Sequence, residues 1–541
     1  MKKIFTICLL TCAFFTQTKA QGYISGDLEL RNDYYVKDSI IGASGTNHYD
    51  DLKSSVDSWL TVNYTNNDWG FRTGIRLDMF LNSRFHNPNN DAYTAFGIGR
   101  WFVEKDFKKL SLTGGYFYDQ FGSGIAFRAY ENRFLGIDNA IFGVKAKYQL
   151  NDNWFVKGFA GVRKNRLSFY KPVVKGLNIE GYIPIGDKVN LSPGIGVVNR
   201  TIDETSMTTI ANSINSYDLE DRFVPKYNTY VITAYNRLNV GNFTWFVEGA
   251  YKTHEAVNVA LGVPYQDKAG NVLYTSLTYS KKGFGISGQF KRTDNFQFRS
   301  APEDNETLIK GALNFIPPIN RQNSLRLPAR YQPASQEIQE TAASLDFTYT
   351  PSKGKTFNFS FSEIHKNKID FQTYALDNLY REAYLDFEWK ISKKLKTLIG
   401  FQFVQYNQDF YEGPAALPVD VQVFSPFFEL TYKIDQKRSI RAEFQYQSAK
   451  RDFGQWLYAL LEFNIAPKFS VSVSDMWNFN PGPNKSSLNA HYYSVYTSYT
   501  EGPHRFYISY VRQVQGIVCT GGICRLEPAF NGVRAGLNTS F

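Results

Sequence analysis

The stretch Cys519-Thr-Gly-Gly-Ile-Cys524 sets two thiols five positions apart around a Gly-Gly pair, shortly before Phe541. Such a pair could ligate a metal, cycle as a redox dithiol or close a structural staple. Two thiolates leave a tetrahedral metal site half filled, and no histidine neighbours them in sequence. A redox C-x-x-C has two intervening residues, and this stretch has four. The six histidines (His48, His86, His254, His365, His491 and His504) are dispersed. His254-Glu255 begins like a zinc-protease helix but lacks the second histidine four positions on. Gly122-Ser123-Gly124 lacks the spacing of a nucleophile elbow. His491 and Ser494 could share a hydrolytic site only if strand faces brought them together with a carboxamide. Dinucleotide, phosphate-loop and EF-hand patterns are not found. The expectation is a non-enzyme without metal or cofactor.

What the thiols do depends on compartment. Lys2 and Lys3 precede an apolar run, Ile4 to Phe15, too short to span a bilayer, and Thr18-Lys19-Ala20 supplies small residues at −3 and −1. These are the parts of a secretory signal peptide, residues 1–20, cleaved after Ala20. Leu9-Leu10-Thr11-Cys12 invites a lipoprotein reading, but Thr11 suits lipidation poorly and apolar sequence continues beyond it. The formal charge of +10 falls to +7 once Lys2, Lys3 and Lys19 leave. Its positive residues are scattered, which gives no nucleic-acid footprint.

The elements that must position these residues have a period of two. Phe357, Phe359 and Phe361 alternate with small polar residues. Ala383, Leu385, Phe387, Trp389 and Ile391 alternate with Tyr384, Asp386, Glu388 and Lys390. Successive strand side chains point to opposite faces, so each segment has one apolar and one polar face. Helical spacing is hard to find after the signal. Tight turns at 66–68, 151–153, 186–188, 392–394, 435–437, 466–468 and 501–503 alternate with long polar stretches, among them 201–224, 293–338 and 364–381. Aromatic residues make up 16% of the chain, about twice an ordinary soluble share.

Together these features predict an all-β fold: one transmembrane antiparallel β-barrel over residues 21–541. It has about 24 strands (range 18–24), short periplasmic turns and long extracellular loops, and it sits in the outer membrane of a Gram-negative envelope. Closure removes the sheet edges that hydrocarbon would leave unpaired. A β-propeller of six four-stranded blades would give a similar strand count, but its sequence repeat is not found. In the last segment Val533, Ala535, Leu537 and Thr539 share one face with Phe541. That final aromatic strand is similar to the signal read by the barrel-assembly machinery, which with outer-membrane lipid is an expected partner. An outside loop sees no cytosolic reductant, so Cys519 and Cys524 are expected to form a disulfide. Closing so small a ring stabilises by about 2 kcal/mol, which serves to fix one loop's shape.

Cys519-Thr-Gly-Gly-Ile-Cys-Arg-Leu-Glu-Pro-Ala529 and Tyr116-Phe-Tyr-Asp-Gln-Phe-Gly-Ser-Gly-Ile-Ala-Phe-Arg-Ala-Tyr-Glu-Asn-Arg-Phe-Leu-Gly-Ile-Asp-Asn139 resemble stretches of a Bacteroidota outer-membrane β-barrel family, a domain of unknown function. The resemblance covers a small part of the chain and implies source and location without an activity. In the second stretch Gly122 and Gly124 permit tight turns, and Asp119, Arg128, Glu131, Arg133 and Asp138 mix both charges. Such a loop either folds inward to constrict a pore or forms a compact loop whose charges pair with each other.

Gly22-Tyr-Ile-Ser-Gly-Asp-Leu-Glu-Leu-Arg31 already alternates, so an N-terminal plug domain is not expected. A barrel this wide still needs filling. The Pro-rich segment 293–338 is the candidate inserted loop, with a partner chain as the other solution. Two functions follow. One is a gated or loop-constricted channel for polar solutes, with Lys145, Lys147, Asp386, Glu388 and Lys390 facing the lumen. The other is an interaction barrel holding an envelope protein partner, as in a surface-export assembly.

Overall fold

The structure, a computed structural model, describes residues 22–84, 92–258, 264–302, 311–367, 378–412, 420–483 and 489–541. The expected signal peptide lies outside the described residues, as does His86.

The alternating segments pair in sequence order, each antiparallel to the next, into a closed barrel of 24 strands. The seam joins the first strand, Gly22–Tyr35, to the last, Phe530–Ser540, in a register from Asp27↔Ser540 to Tyr35↔Gly532. Gly26 and Phe541 extend that seam by exchanging backbone bonds of 2.8 and 3.0 Å. Closure gives every described wall strand a neighbour on both sides.

The two faces of the wall are inverted relative to a soluble protein. Phe96, Val144, Leu461, Phe444 and Ile195 stand exposed on the outside, while Arg76, Glu248, Lys252, Lys291 and Gln402 are buried inside. Exposed Tyr23, Trp69 and Phe107 lie toward the short turns, and Tyr34, Tyr230 and Tyr493 toward the long loops, where aromatic girdles belong. In the last strand Arg534 and Asn538 line the interior, as the alternation requires.

The expected short turns occur where the sequence places them. One expectation is corrected. Residues 201–224 carry a helix, Glu204–Asn215, with Asp203 accepting bonds from the Thr205 and Ser206 amides at 3.0 and 3.3 Å. Its buried side includes Met207, Ile210 and Ile214, a stripe too narrow to stand out among Ser, Thr and Asn. A second short helix, Gln408–Glu412, also lies at the long-loop end.

Candidate functional site: a lumen filled by the chain itself

The loop after strand Leu110–Phe117 folds into the barrel. Two small hairpins build it, Asp119–Phe121 with Phe127–Ala129 and Glu131–Asn132 with Ile137–Asp138. Phe121 and Phe127 face each other across the first hairpin, and Phe127 lies 4.5 Å from the wall residue Phe159. Together with Ile125 they are fully buried against inward-facing Val174, Val198 and Val231. This stretch of inner wall is therefore apolar because a protein loop covers it. Gly122 has φ of +51°, and a Cβ there would stand 2.7 Å from the Glu248 carboxylate. That space admits Glu248 to accept from the Ser123 amide at 2.7 Å.

The charges of the loop pair chiefly with the wall, so the loop is compact but is held from outside itself. Asp119 meets Lys157 at 2.9 Å and Lys145 at 3.4 Å. Arg76, 2% exposed, reaches Asp78, Glu131 and Asp138 at 2.6, 2.7 and 2.6 Å. Lys164 closes on Asp138 at 2.5 Å, and Arg133 on Glu29 at 3.1 Å. Burial by itself would raise the Asp138 carboxyl. Lys164 and Arg76 outweigh it and hold the group well below the usual carboxylate range. Arg128 instead lies over the Tyr130 and Phe315 rings, 4.4 and 4.3 Å from their centroids.

Phe315 belongs to the second filling piece, the Pro-rich segment between strands Phe284–Asp294 and Gln339–Ser352. It first docks on the inward loop, with Arg128 N donating to Leu313 O and Phe315 N to Gly124 O at 2.9 and 3.0 Å. Lys291 fixes Pro317 O at 2.8 Å. The chain then crosses the lumen. Asn323 donates to Glu382 at 3.0 Å, and Leu327 is held on both sides by Gln445 at 2.7 Å and Gln447 at 2.8 Å. Tyr331 donates to Asp452 at 2.8 Å. Arg330 lies over the Phe453 and Trp456 rings.

The third piece is the hairpin Gly516–Thr520/Ile523–Glu527, turned by Gly521 and Gly522 at φ of +59° and +77°. It contacts both others: Gly521 N donates to Gln322 at 2.9 Å, Ser335 N to Gly522 O at 2.9 Å, and Arg525 to Phe134 O at 2.6 Å. Its backbone makes Cys519 and Cys524 direct cross-strand partners. The disulfide expected there concerns side chains outside the described ones.

Lys145 and Asp386 line the interior, Asp386 with Arg321 of the crossing segment 3.7 Å away. Lys147 lies over the Phe155 ring and Glu388 pairs with Lys396 at 2.8 Å. Lys390 follows the end of strand Asn378–Trp389, and its amide donates to Gly354 O in the short turn at 2.7 Å. His491 is exposed and meets Asp475 at 2.6 Å, while Ser494, an odd number of residues on, points to the opposite face. Among the described residues, no group of three or more His, Cys, Asp or Glu side chains is placed to hold a metal ion. Sequence reasoning passed over Arg76, Lys164 and Glu248. The signal was available, since Arg72, Arg76 and Asp78 share one polar face of strand Phe71–Ser83.

Between the filling pieces and the wall of the first three and last strands a cavity of about 1110 Å³ remains. It is lined by ten cationic side chains and seven carboxylates, with Trp59, Tyr496 and Tyr507 among them.

Fold and site together define a β-barrel with an apolar outer face, whose lumen is occupied by its own loops and retains a charged cavity. The chain belongs to a family of unknown function, DUF6029, whose model spans residues 1–541. No curated protein matches it. Solved structures similar to it include the P pilus usher (PapC) translocation pore, at 8% identity over 96% of this chain and 99% of that one, with a TM-score of 0.46. The siderophore receptor PirA from Pseudomonas aeruginosa is 10% identical over 97% and 81%, with a TM-score of 0.43. The copper transporter OprC is 9% identical over 97% and 81%, with a TM-score of 0.40. At such identities no cargo or partner transfers to this chain.

Proposed function

We propose that this protein is an outer-membrane channel for polar solutes, gated by its own inserted loops. Its exposed apolar band would face lipid, its short turns the periplasm and its long loops the exterior. One observation carries the reading: the filling pieces are polypeptide of the same chain, docked by many separate polar contacts, and they leave a charged cavity against the wall. A loop tethered at both ends can shift without leaving the barrel, as a gate requires. The purified protein in planar bilayers is expected to show small, steady conductance. Replacing 295–338 by a short Gly-Ser linker is expected to raise it severalfold. No current from either protein, together with a co-purifying envelope protein, would overturn the channel in favour of the interaction barrel.

A further inference from the structure

The carboxylates of the lumen cavity are largely spoken for. Asp78, Glu131 and Asp138 are bound by Arg76 and Lys164, Glu29 by Arg31 and Arg133, and Glu527 by Arg525. Asp33 lies 3.6 Å from Arg534. The cations are not all matched in return. Arg163 is buried and, among the described residues, donates to the carbonyls of Ala312 and Lys164, at 2.9 and 3.2 Å. Arg84 rests over the Tyr35 and Tyr49 rings, 5.5 and 5.9 Å from their centroids. Arg326, on the crossing segment, makes no ion pair or hydrogen bond among the described residues. It opens onto the cavity, with Arg534, Arg525 and Arg84 lining the same space.

The Arg326 guanidinium is exposed to the cavity with no carboxylate bound to it among the described residues, and like charges stand near it. Its place inside the barrel and the Arg330 charge lower its proton affinity most, and Arg534 adds to them against Tyr458 and Glu527. The group stays charged all the same, because an arginine does not lose its proton in a protein. An anion in the cavity would remove this imbalance. Planar guanidinium forks match carboxylate and phosphate oxygens two at a time, and several forks around one space favour a ligand with several such groups. The volume suits a molecule of metabolite size.

We propose that the cavity beside Arg326 binds a small organic polyanion, one bearing two or more carboxylate or phosphate groups. The proposal deepens the channel reading by naming its solute class, and it rests on that reading only for the passage of the solute. Binding is therefore tested apart from current. Titration calorimetry of the detergent-solubilised protein at low salt, with citrate and with pyrophosphate as probes and sucrose as the neutral control, is expected to show saturable binding of at least one anion and none of sucrose. Arg326→Gln should weaken it at least about tenfold, the worth of one charge-assisted hydrogen bond, with Arg326→Lys falling between. Retained heat-modifiable migration in gels verifies that both variants are folded. Absence of saturable anion binding to the wild type up to about 10 mM, where an affinity is too weak to matter, overturns the proposal. So does unchanged binding by a folded Arg326→Gln protein. Reversal potentials in a KCl gradient separate the two readings. Binding without current leaves the site and removes the channel, whereas current without anion binding or anion preference leaves the channel and removes the site.

Discussion

Arg76 is the residue on which the docking of the inward loop most depends. Its guanidinium is almost fully buried and serves Asp78 on its own strand and Glu131 and Asp138 on the loop. Arg76→Gln is shorter, keeps some hydrogen bonding and removes the charge, which strands three carboxylates near Lys164. Removing one partner of a buried ionic cluster costs about 3–5 kcal/mol, more than replacing the whole cluster with apolar side chains would. In a barrel with an extensive strand ladder, that loss is expected to fall on the loop rather than on the wall. Hydrogen exchange should accelerate across 118–139 in Arg76→Gln, while the wall strands keep their protection. Equal acceleration in both would show that loop and wall melt as one unit.

At the scale of elements, the short hairpin near the C-terminal end shows how a local sequence makes a specific geometry. Gly521 and Gly522 both take positive φ, so a two-residue turn closes and Thr520 pairs with Ile523. The next pair outward, Cys519 with Cys524, then falls at a non-hydrogen-bonded position, where Cα atoms stand about 4.5 Å apart, at the short end of the range a disulfide spans. Thiol-reactive polyethylene glycol is expected to label the denatured protein only after reduction. Cys519→Ser with Cys524→Ser should lower the thermal midpoint of the barrel little, since closing a ring this small is worth about 2 kcal/mol. Labelling without reductant would show free thiols. The same hairpin holds Gln322, Ser335 and Phe134 O, so a fixed hairpin shape matters to the filling of the lumen more than to the wall.

For the whole molecule, the decisive event is the meeting of the first and last strands, which lie at opposite ends of the described chain. Phe541 contributes twice: its backbone bonds Gly26, and its ring lies where a Cβ on Gly26 would be 2.5 Å away. The ring itself is largely exposed. Phe541→Ala keeps the backbone bonds and removes only the ring. If the terminal aromatic serves recognition by the assembly machinery, the amount of heat-modifiable barrel in outer-membrane fractions should drop severalfold in this variant. The barrel that does form should melt at the wild-type temperature. A lowered melting temperature with normal yield would assign the ring to seam stability instead.

Much of this barrel was determined locally. Alternation of apolar and polar residues fixes which side of a strand faces outward and which meets the interior. Turn residues such as Lys393-Lys394 and Gly521-Gly522 fix where strands reverse, because both signals act within a few residues of chain. The place of the long loop between the fifth and sixth wall strands was legible for the same reason, but the sequence left open whether it folds inward. The Pro-rich segment was a candidate filler only because so wide a barrel needs filling. The tertiary structure alone decided how these pieces are held. Arg76 with Asp138, Leu327 with Gln445, and Gln322 with Gly521 are contacts made across the lumen between residues distant in sequence, and no periodicity encodes them. The helix Glu204–Asn215 escaped notice because its apolar stripe gains meaning only from Ile202, Ala256 and Tyr265 packed with it. Which arginines of the lumen are left without a carboxylate, Arg326 above all, is a sum over the whole enclosed charge set. A sequence specifies those charges one at a time, and only closure of the barrel brings them into one space where they must balance.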